Sequence, residues 1–342
     1  MIELLIVSLL SMAPAETEPS VKAGASPHGV TLAPAAAGGA TAVLRNGRLW
    51  GRLLDNTANR DRQGSGFNPL VHLSYPGHPI FRVEDTGLNF EHIFNGAAAD
   101  HAISMFTPRT DPVELLVRSE SSAKLHWPGE SNTWGIESWM TYDFVAPDAI
   151  DMTFRTRLTK AGRAPLGYVA YMWASYMAFA RDRRIHFYGT DGEKEGWTSF
   201  GEALPNGGGI EMGTVAHAKV SPLPHEPEAQ LLNVVENTRK RFLRPYYYGL
   251  IDGDHDVTTT DDTLACIMMF DQEEPIRFAM WNFISDATGV PSTHHPAWDW
   301  QYVVRDPELN RDYGYRARLT IRPWTNREEV HRLFESWRRG LR

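Results

Sequence analysis

The sequence predicts an all-β protein: a large antiparallel β-sandwich, supersandwich-like, with a C-terminal amphipathic helix. Three observations carry this reading. Short segments alternating between apolar and polar residues recur along most of the chain, the period of half-buried strands. Glycine and proline recur between them, with 28 Gly and 22 Pro in 342 residues. No sustained helical stripe occurs between Arg45 and Pro323. More than ten strands without a helical interlude favour a sandwich over an α/β architecture. With 42% hydrophobic and 22% charged residues, usage is that of an ordinary globular chain, which excludes wholesale disorder.

Taken in order, the chain opens on a mostly apolar run, Ile2 to Met12, too short to span a bilayer. Ala13-Pro14-Ala15 follows with the small-x-small pattern of a cleavage site, so residues 1–15 read as an export signal, although Glu3 stands where Lys or Arg is usual. Residues 16–40, rich in Ala, Gly and Pro, read as a linker, and 41–342 as one β-sandwich domain. An exported protein, periplasmic or extracellular, is the expectation. Its single cysteine, Cys266, fits a periplasm better than a disulfide-rich setting.

Candidate strands are Val71–Tyr75, Leu88–Phe94, Val113–Arg118, Ala123–Trp127, Ile136–Phe144, Ile150–Leu158, Tyr168–Met177, Ile185–Tyr188, Thr263–Phe270, Ile276–Ile284, Trp300–Val304 and Tyr315–Arg322. Two of these are clear enough to set a register, with Pro147-Asp148 as the turn between them. Pairing Phe144 with Ile150 places Trp139 opposite Arg155 and Glu137 opposite Arg157, a cation–π pair beside an ion pair on the polar face. The helix is predicted over 326–338: Asn326 and Glu329 form a cap, and Val330, Leu333, Phe334 and Trp337 make one apolar face.

The net charge of −8 argues against a nucleic-acid partner, and after the first residues nothing approaches a stable membrane span. One cysteine excludes a disulfide framework and multi-cysteine metal sites, and Cys266 lies in an apolar run as an inert buried thiol. No G-x-G-x-x-G, P-loop, H-E-x-x-H or G-x-S-x-G motif is present.

What remains is aromatic and polar density: 11 Trp, 12 Tyr and 15 Phe, several beside His or carboxylates. Flat rings flanked by hydrogen-bonding groups suit a sugar, with its C–H faces and hydroxyl edges, as readily as they fill a core. His294 to Trp300 is the densest cluster. It reads as a turn into a strand, with His295 and Asp299 as an acid–base or metal pair and Trp298 and Trp300 as stacking platforms. In Asn89 to Phe94, His92 shares a strand face with Phe90 and Phe94, and Glu91 points away with Asn89, so the two cannot pair in a regular strand; one of them can line a cleft, and His92 reads rather as a core histidine.

Glu137 is a candidate sugar-site carboxylate beside the Trp139 platform, unless Arg157 holds it. His217 and Tyr176 are further acid–base candidates, Arg155 or Arg244 can hold an acidic sugar, and Tyr247 belongs to the aromatic run after Arg244. Asp252, Asp254 and Asp256 space like the start of a calcium loop, but Val257 and Thr263 break the EF-hand pattern, leaving an irregular Ca2+ site or an exposed acidic turn. No cofactor is required by any motif.

An exported antiparallel chain with His, Tyr, Glu and Trp spread over successive strands resembles the galactose-mutarotase-like β-supersandwich proteins, from Arg45 to Pro323 at the level of architecture. The resemblance implies a broad carbohydrate-binding sheet; members include aldose epimerases, polysaccharide lyases and glycoside hydrolase domains. Asn89 to Gly96 lacks the Asn-His-Pro context of the epimerases, so no catalytic role is carried over. The expectation is a protein acting on a polysaccharide or oligosaccharide by acid–base chemistry of lyase, hydrolase or epimerase type. A non-catalytic glycan-binding module and a structural envelope protein are the alternatives.

Overall fold

The computed structural model describes residues 40–57, 64–98, 103–205, 209–229, 236–237, 239–256, 258–284 and 292–341. Residues 1–39, which hold the expected export signal and nearly all of the expected linker, lie outside them. In chain order the strands begin with β1 (Thr41–Arg45), β2 (Leu49–Leu54), β3 (Gly66–His72) and β4 (Asn89–Phe94). A four-residue helix α1 (Thr107–Thr110) precedes β5 (Glu114–Ser119), β6 (Ser122–Trp127), β7 (Ile136–Val145), β8 (Ala149–Leu158) and β9 (Tyr168–Ala174). Then come β10 (Ile185–Asp191), β11 (Lys194–Phe200), β12 (Gly213–Ala216), β13 (Lys240–Ile251) and β14 (Leu264–Phe270). The chain ends with β15 (Ile276–Trp281), β16 (Ala297–Arg305), β17 (Asp312–Pro323) and α2 (Arg327–Gly340). Among the described residues no helix is long and apolar enough to cross a membrane.

A nine-stranded antiparallel sheet, ordered β11-β10-β13-β14-β17-β8-β7-β6-β5, packs on a five-stranded one, β12-β15-β16-β9-β4, and β1-β2-β3 forms a third. Aromatic side chains join the two larger sheets. Phe154 of β8 meets Trp173 of β9 edge-on at 4.6 Å, and Phe242 of β13 stacks on Phe278 of β15 at 4.1 Å. Within the five-stranded sheet Trp173 stacks on Trp300 at 5.5 Å. Such rings bury large apolar area in fixed geometry, which makes this interface the main core.

The register read from alternation is present in full: Phe144↔Ile150, Trp139↔Arg155 and Glu137↔Arg157. The cation–π contact forms, with Arg155 5.9 Å from the Trp139 ring centroid. The expected ion pair does not. β17 lies on the far side of β8 with Asp312 opposite Arg157, and Asp312 takes Arg157 at 2.6 Å and Arg155 as well. Glu137 turns instead to His126, 3.1 Å away.

β1, β2, β11, β12 and β13 were not among the expected strands. In β13, Pro245 lies where the pairing with β10 shifts register, the irregularity that admits a proline inside a sheet. The helix forms as expected, running to Gly340. Asn326 Oδ1 accepts the Glu329 N–H at 3.0 Å, and Val330, Phe334 and Trp337 bury against Tyr246, Ile267 and Met269 on the outer face of the nine-stranded sheet.

Candidate functional site

Strand parity places a carboxyl group on the outer face of the five-stranded sheet. In β16, Trp298 and Trp300 enter the core, so Ala297 and Asp299 point outward. Ala279 lies opposite Asp299 on β15, and Ala174 of β9 borders the same space. Small side chains around one carboxyl leave a cavity of about 260 Å3.

β4 supplies the other wall through a distortion. Its pairing with β9 runs from Phe90↔Trp173 directly to His92↔Met172, so Glu91 is an inserted residue, a β-bulge. Phe90 and Ile93 therefore enter the core, while Asn89, Glu91 and His92 all line the cavity. This corrects the expectation that Glu91 and His92 face opposite ways: His92 Nε2 lies 3.7 Å from Glu91 Oε2. Just before the bulge, Leu88 has a φ of 53°, a left-handed conformation that a branched residue holds only when its surroundings fix it. Its N–H donates to Ser175 Oγ at 2.8 Å and its carbonyl accepts from Tyr142 Oη at 3.1 Å.

Helix α1 brings in a cation. Arg109 Nη1 lies 3.1 Å from Glu91 Oε1, and its guanidinium sits 5.5 Å from the Phe106 ring. That ring meets His92 edge-on at 4.4 Å. Asp299, 1% exposed, accepts the Ser175 N–H at 2.8 Å. Burial, reinforced by the negative charge of Glu91, pushes its carboxyl well above the usual range, so it favours the protonated form. Burial likewise raises the Tyr176 phenol, with Asp299 and Glu91 adding to the effect.

Of the residues singled out in the sequence, the cavity unites Asp299 and Tyr176. His295 is not paired with Asp299. It precedes β16, its Nδ1 lies 3.2 Å from the Met177 carbonyl, and its ring faces Phe179. Trp298, Trp300 and Tyr247 are buried between the sheets, which leaves no ring face for a ligand and corrects the reading of the two tryptophans as platforms and of Tyr247 as a substrate-binding residue. Trp139 and Glu137 lie on the nine-stranded sheet. His126 stacks on the Trp139 ring at 5.2 Å, and Arg155 and Arg157 lie over it at 5.9 Å, so that platform is occupied by the protein itself. His217 and Arg244 line a separate cavity near α2.

The acidic loop also differs from its sequence reading. Asp252 and Asp254 gather with Asp262, their carboxylate oxygens within 4.8 Å of one another, whereas Asp256 accepts from Thr258 N at 3.0 Å. Arg181 lies 3.2 Å from Asp252 and 2.6 Å from Asp262 and supplies positive charge to the cluster. Burial raises the Asp252 carboxyl.

The sequence reading let one of Glu91 and His92 line a cleft; it did not bring the two together, and it did not single out Arg109. The one available signal is the spacing of Phe90 and Ile93: buried residues three apart in a strand imply an insertion. Nothing local marks Arg109.

No family model matches the chain, and no curated protein matches it. Among solved structures, a candidate aldose 1-epimerase from Escherichia coli K12 aligns with a TM-score of 0.46 and 10% identity, over 84% of this chain and 100% of that one. The protein HI1317 aligns at 0.42 and 9% identity, over 82% and 91%. A 4-alpha-glucanotransferase from Thermococcus litoralis aligns at 0.41 and 7% identity, over 83% of this chain but 38% of that one. With TM-scores this low, the matches assign no activity to the chain.

Proposed function

We propose that the chain is a carbohydrate-active enzyme that performs acid–base chemistry on one sugar ring held on the outer face of the five-stranded sheet. One observation carries the reading: of the three carboxyl groups that line one small cavity, Asp85 is held by Arg82 at 3.1 Å, and the other two stand in different settings. Asp299 is fully buried and favours its proton, while Glu91 is ion-paired with Arg109. A buried carboxyl that keeps its proton, beside a carboxylate held by an arginine, supplies an acid and a base. Asn89, His92 and Arg109 present hydrogen-bonding groups to hydroxyls, and Phe106 and Trp281 present rings to C–H faces. A volume of about 260 Å3 is below that of a typical drug-sized site and fits a single ring, which disfavours cleavage inside a polymer.

Asp299 gives its proton to a ring or glycosidic oxygen, and Glu91 takes one from the anomeric hydroxyl or from an attacking water. The C–O bond at the anomeric carbon breaks with its electron pair going to the protonated oxygen. In anomer interconversion the ring recloses on the other face as both proton transfers reverse; after hydrolysis Glu91 releases its proton to solvent and Asp299 takes one from it.

The test follows single anomers of an aldose panel by polarimetry, and terminal aryl glycosides by aryl release. The wild type should accelerate one of these. Asp299→Asn and Glu91→Gln should each lower kcat by about a hundredfold or more while sugar still binds. Binding of aldoses without turnover by the wild type would identify a glycan-binding module instead, and full turnover by both variants would remove the acid–base assignment.

A further inference from the structure

The second cavity, about 720 Å3, lies between α2 and the strands β10, β11 and β13 of the nine-stranded sheet. Its floor is aromatic. Trp197 lies 6.1 Å from Tyr188 and 5.9 Å from Tyr246, centroid to centroid. Arg327 sits over the Trp197 ring at 5.6 Å and donates to Tyr248 Oη at 3.0 Å.

Three further cations, Lys219, Arg244 and Arg332, line the groove and are exposed. With the described residues they make no ion pair and no side-chain hydrogen bond. The carboxylates are partly engaged. Glu273 is held by Arg338 at 3.1 Å, and Glu195 accepts from Tyr188 Oη at 2.9 Å. Glu328 also lines the groove, so four cations, Lys219, Arg244, Arg327 and Arg332, stand against three carboxylates, and positive charge predominates beside the Trp197 and Tyr188 rings of a protein whose net charge is −8.

We propose that this groove binds a carboxylated oligosaccharide of the uronate type. Its pyranose faces would lie on the half-buried rings of Trp197 and Tyr188, and its carboxylates would meet Lys219, Arg244 and Arg332. The three cations come from three elements: the segment after β12, strand β13 and helix α2. Cations spread along the groove match a chain with one charge per ring better than a single compact anion. Arginine pairs with a planar carboxylate through two parallel hydrogen bonds. A nucleic acid, with its denser charge, would be repelled by the rest of this acidic surface. The proposal is independent of the first cavity, which belongs to the other sheet.

The test uses the full chain and a tetragalacturonate, with its methyl ester as the neutral control, in calorimetric titration at two salt concentrations. Binding of the acid should weaken with salt and be lost in the ester. Lys219→Ala, Arg244→Ala and Arg332→Ala should each raise Kd by about tenfold, while Arg109→Ala, in the first cavity, leaves Kd unchanged. All three groove cations are exposed, which favours folding of these variants. Failure of the wild type to bind, equal binding of acid and ester, or unchanged Kd in the three variants would overturn the proposal. Loss of binding in Arg109→Ala would move the ligand to the first cavity and overturn it as well.

Discussion

Replacing Asp299 by Asn tests the electrostatics of the first cavity through folding alone. The amide keeps an oxygen to accept the Ser175 N–H, and its NH2 group imitates a protonated carboxyl. In the unfolded chain an Asp titrates at about 3.9. In the fold Asp299 titrates well above that, because it is buried and faces Glu91. Between those two points the folded state holds a proton that the unfolded state has released. Stability contributed by this group is therefore complete at low pH. It declines by about 1.4 kcal/mol per pH unit above pH ~4, until the folded carboxyl itself ionises. Asn carries no such slope. Urea unfolding of both proteins at pH 4.5, 5.5 and 6.5 should give variant-minus-wild-type stabilities that grow with pH, at up to that rate and levelling off once the folded carboxyl ionises, with m-values unchanged. Every other titrating group cancels in the difference. Parallel stability curves would mean that Asp299 ionises as it does in the unfolded chain, and the assignment of the acid would fall with it. The expected variant is more stable near neutral pH and inactive, the trade-off anticipated for a catalytic acid held in an unfavourable place.

Gly249→Ala should overpack the core, since a Cβ there would come within 2.3 Å of the Trp298 indole. A loss of about 1–3 kcal/mol in urea unfolding, with altered tryptophan fluorescence, is expected. Arg181→Ala leaves Asp252 and Asp262 facing each other without the cation between them. A loss of about 3–5 kcal/mol at pH 7 should shrink toward pH 4, read in thermal melts by circular dichroism. N-terminal sequencing of protein recovered from an exporting host should begin at Glu16 if Ala13-Pro14-Ala15 is the cleavage site.

The sheets were legible in the sequence wherever alternation was unbroken. β7 and β8 alternate without interruption, and their pairing follows residue by residue. The candidate site was harder to read for two different reasons. At β16 the fault lay in where the strand was taken to begin. Started at Trp300, it leaves His295 to Asp299 in a turn, free to meet; started at Ala297, parity sends both tryptophans inward and Asp299 alone outward. The acidic cluster was misread because its third member, Asp262, comes from a separate turn, and a local spacing rule selects the nearer Asp256. At β4 the difficulty is of another kind. A regular strand cannot turn two consecutive side chains to one face, so placing Glu91 and His92 in one cavity requires an inserted residue. That insertion erases the alternation by which a strand face is recognised. The residues that depart furthest from the local rule are here among those that line the cavity: polar density picks out the segment Asn89 to Phe94, but the irregular spacing of Phe90 and Ile93 is what shows that Glu91 and His92 share a face.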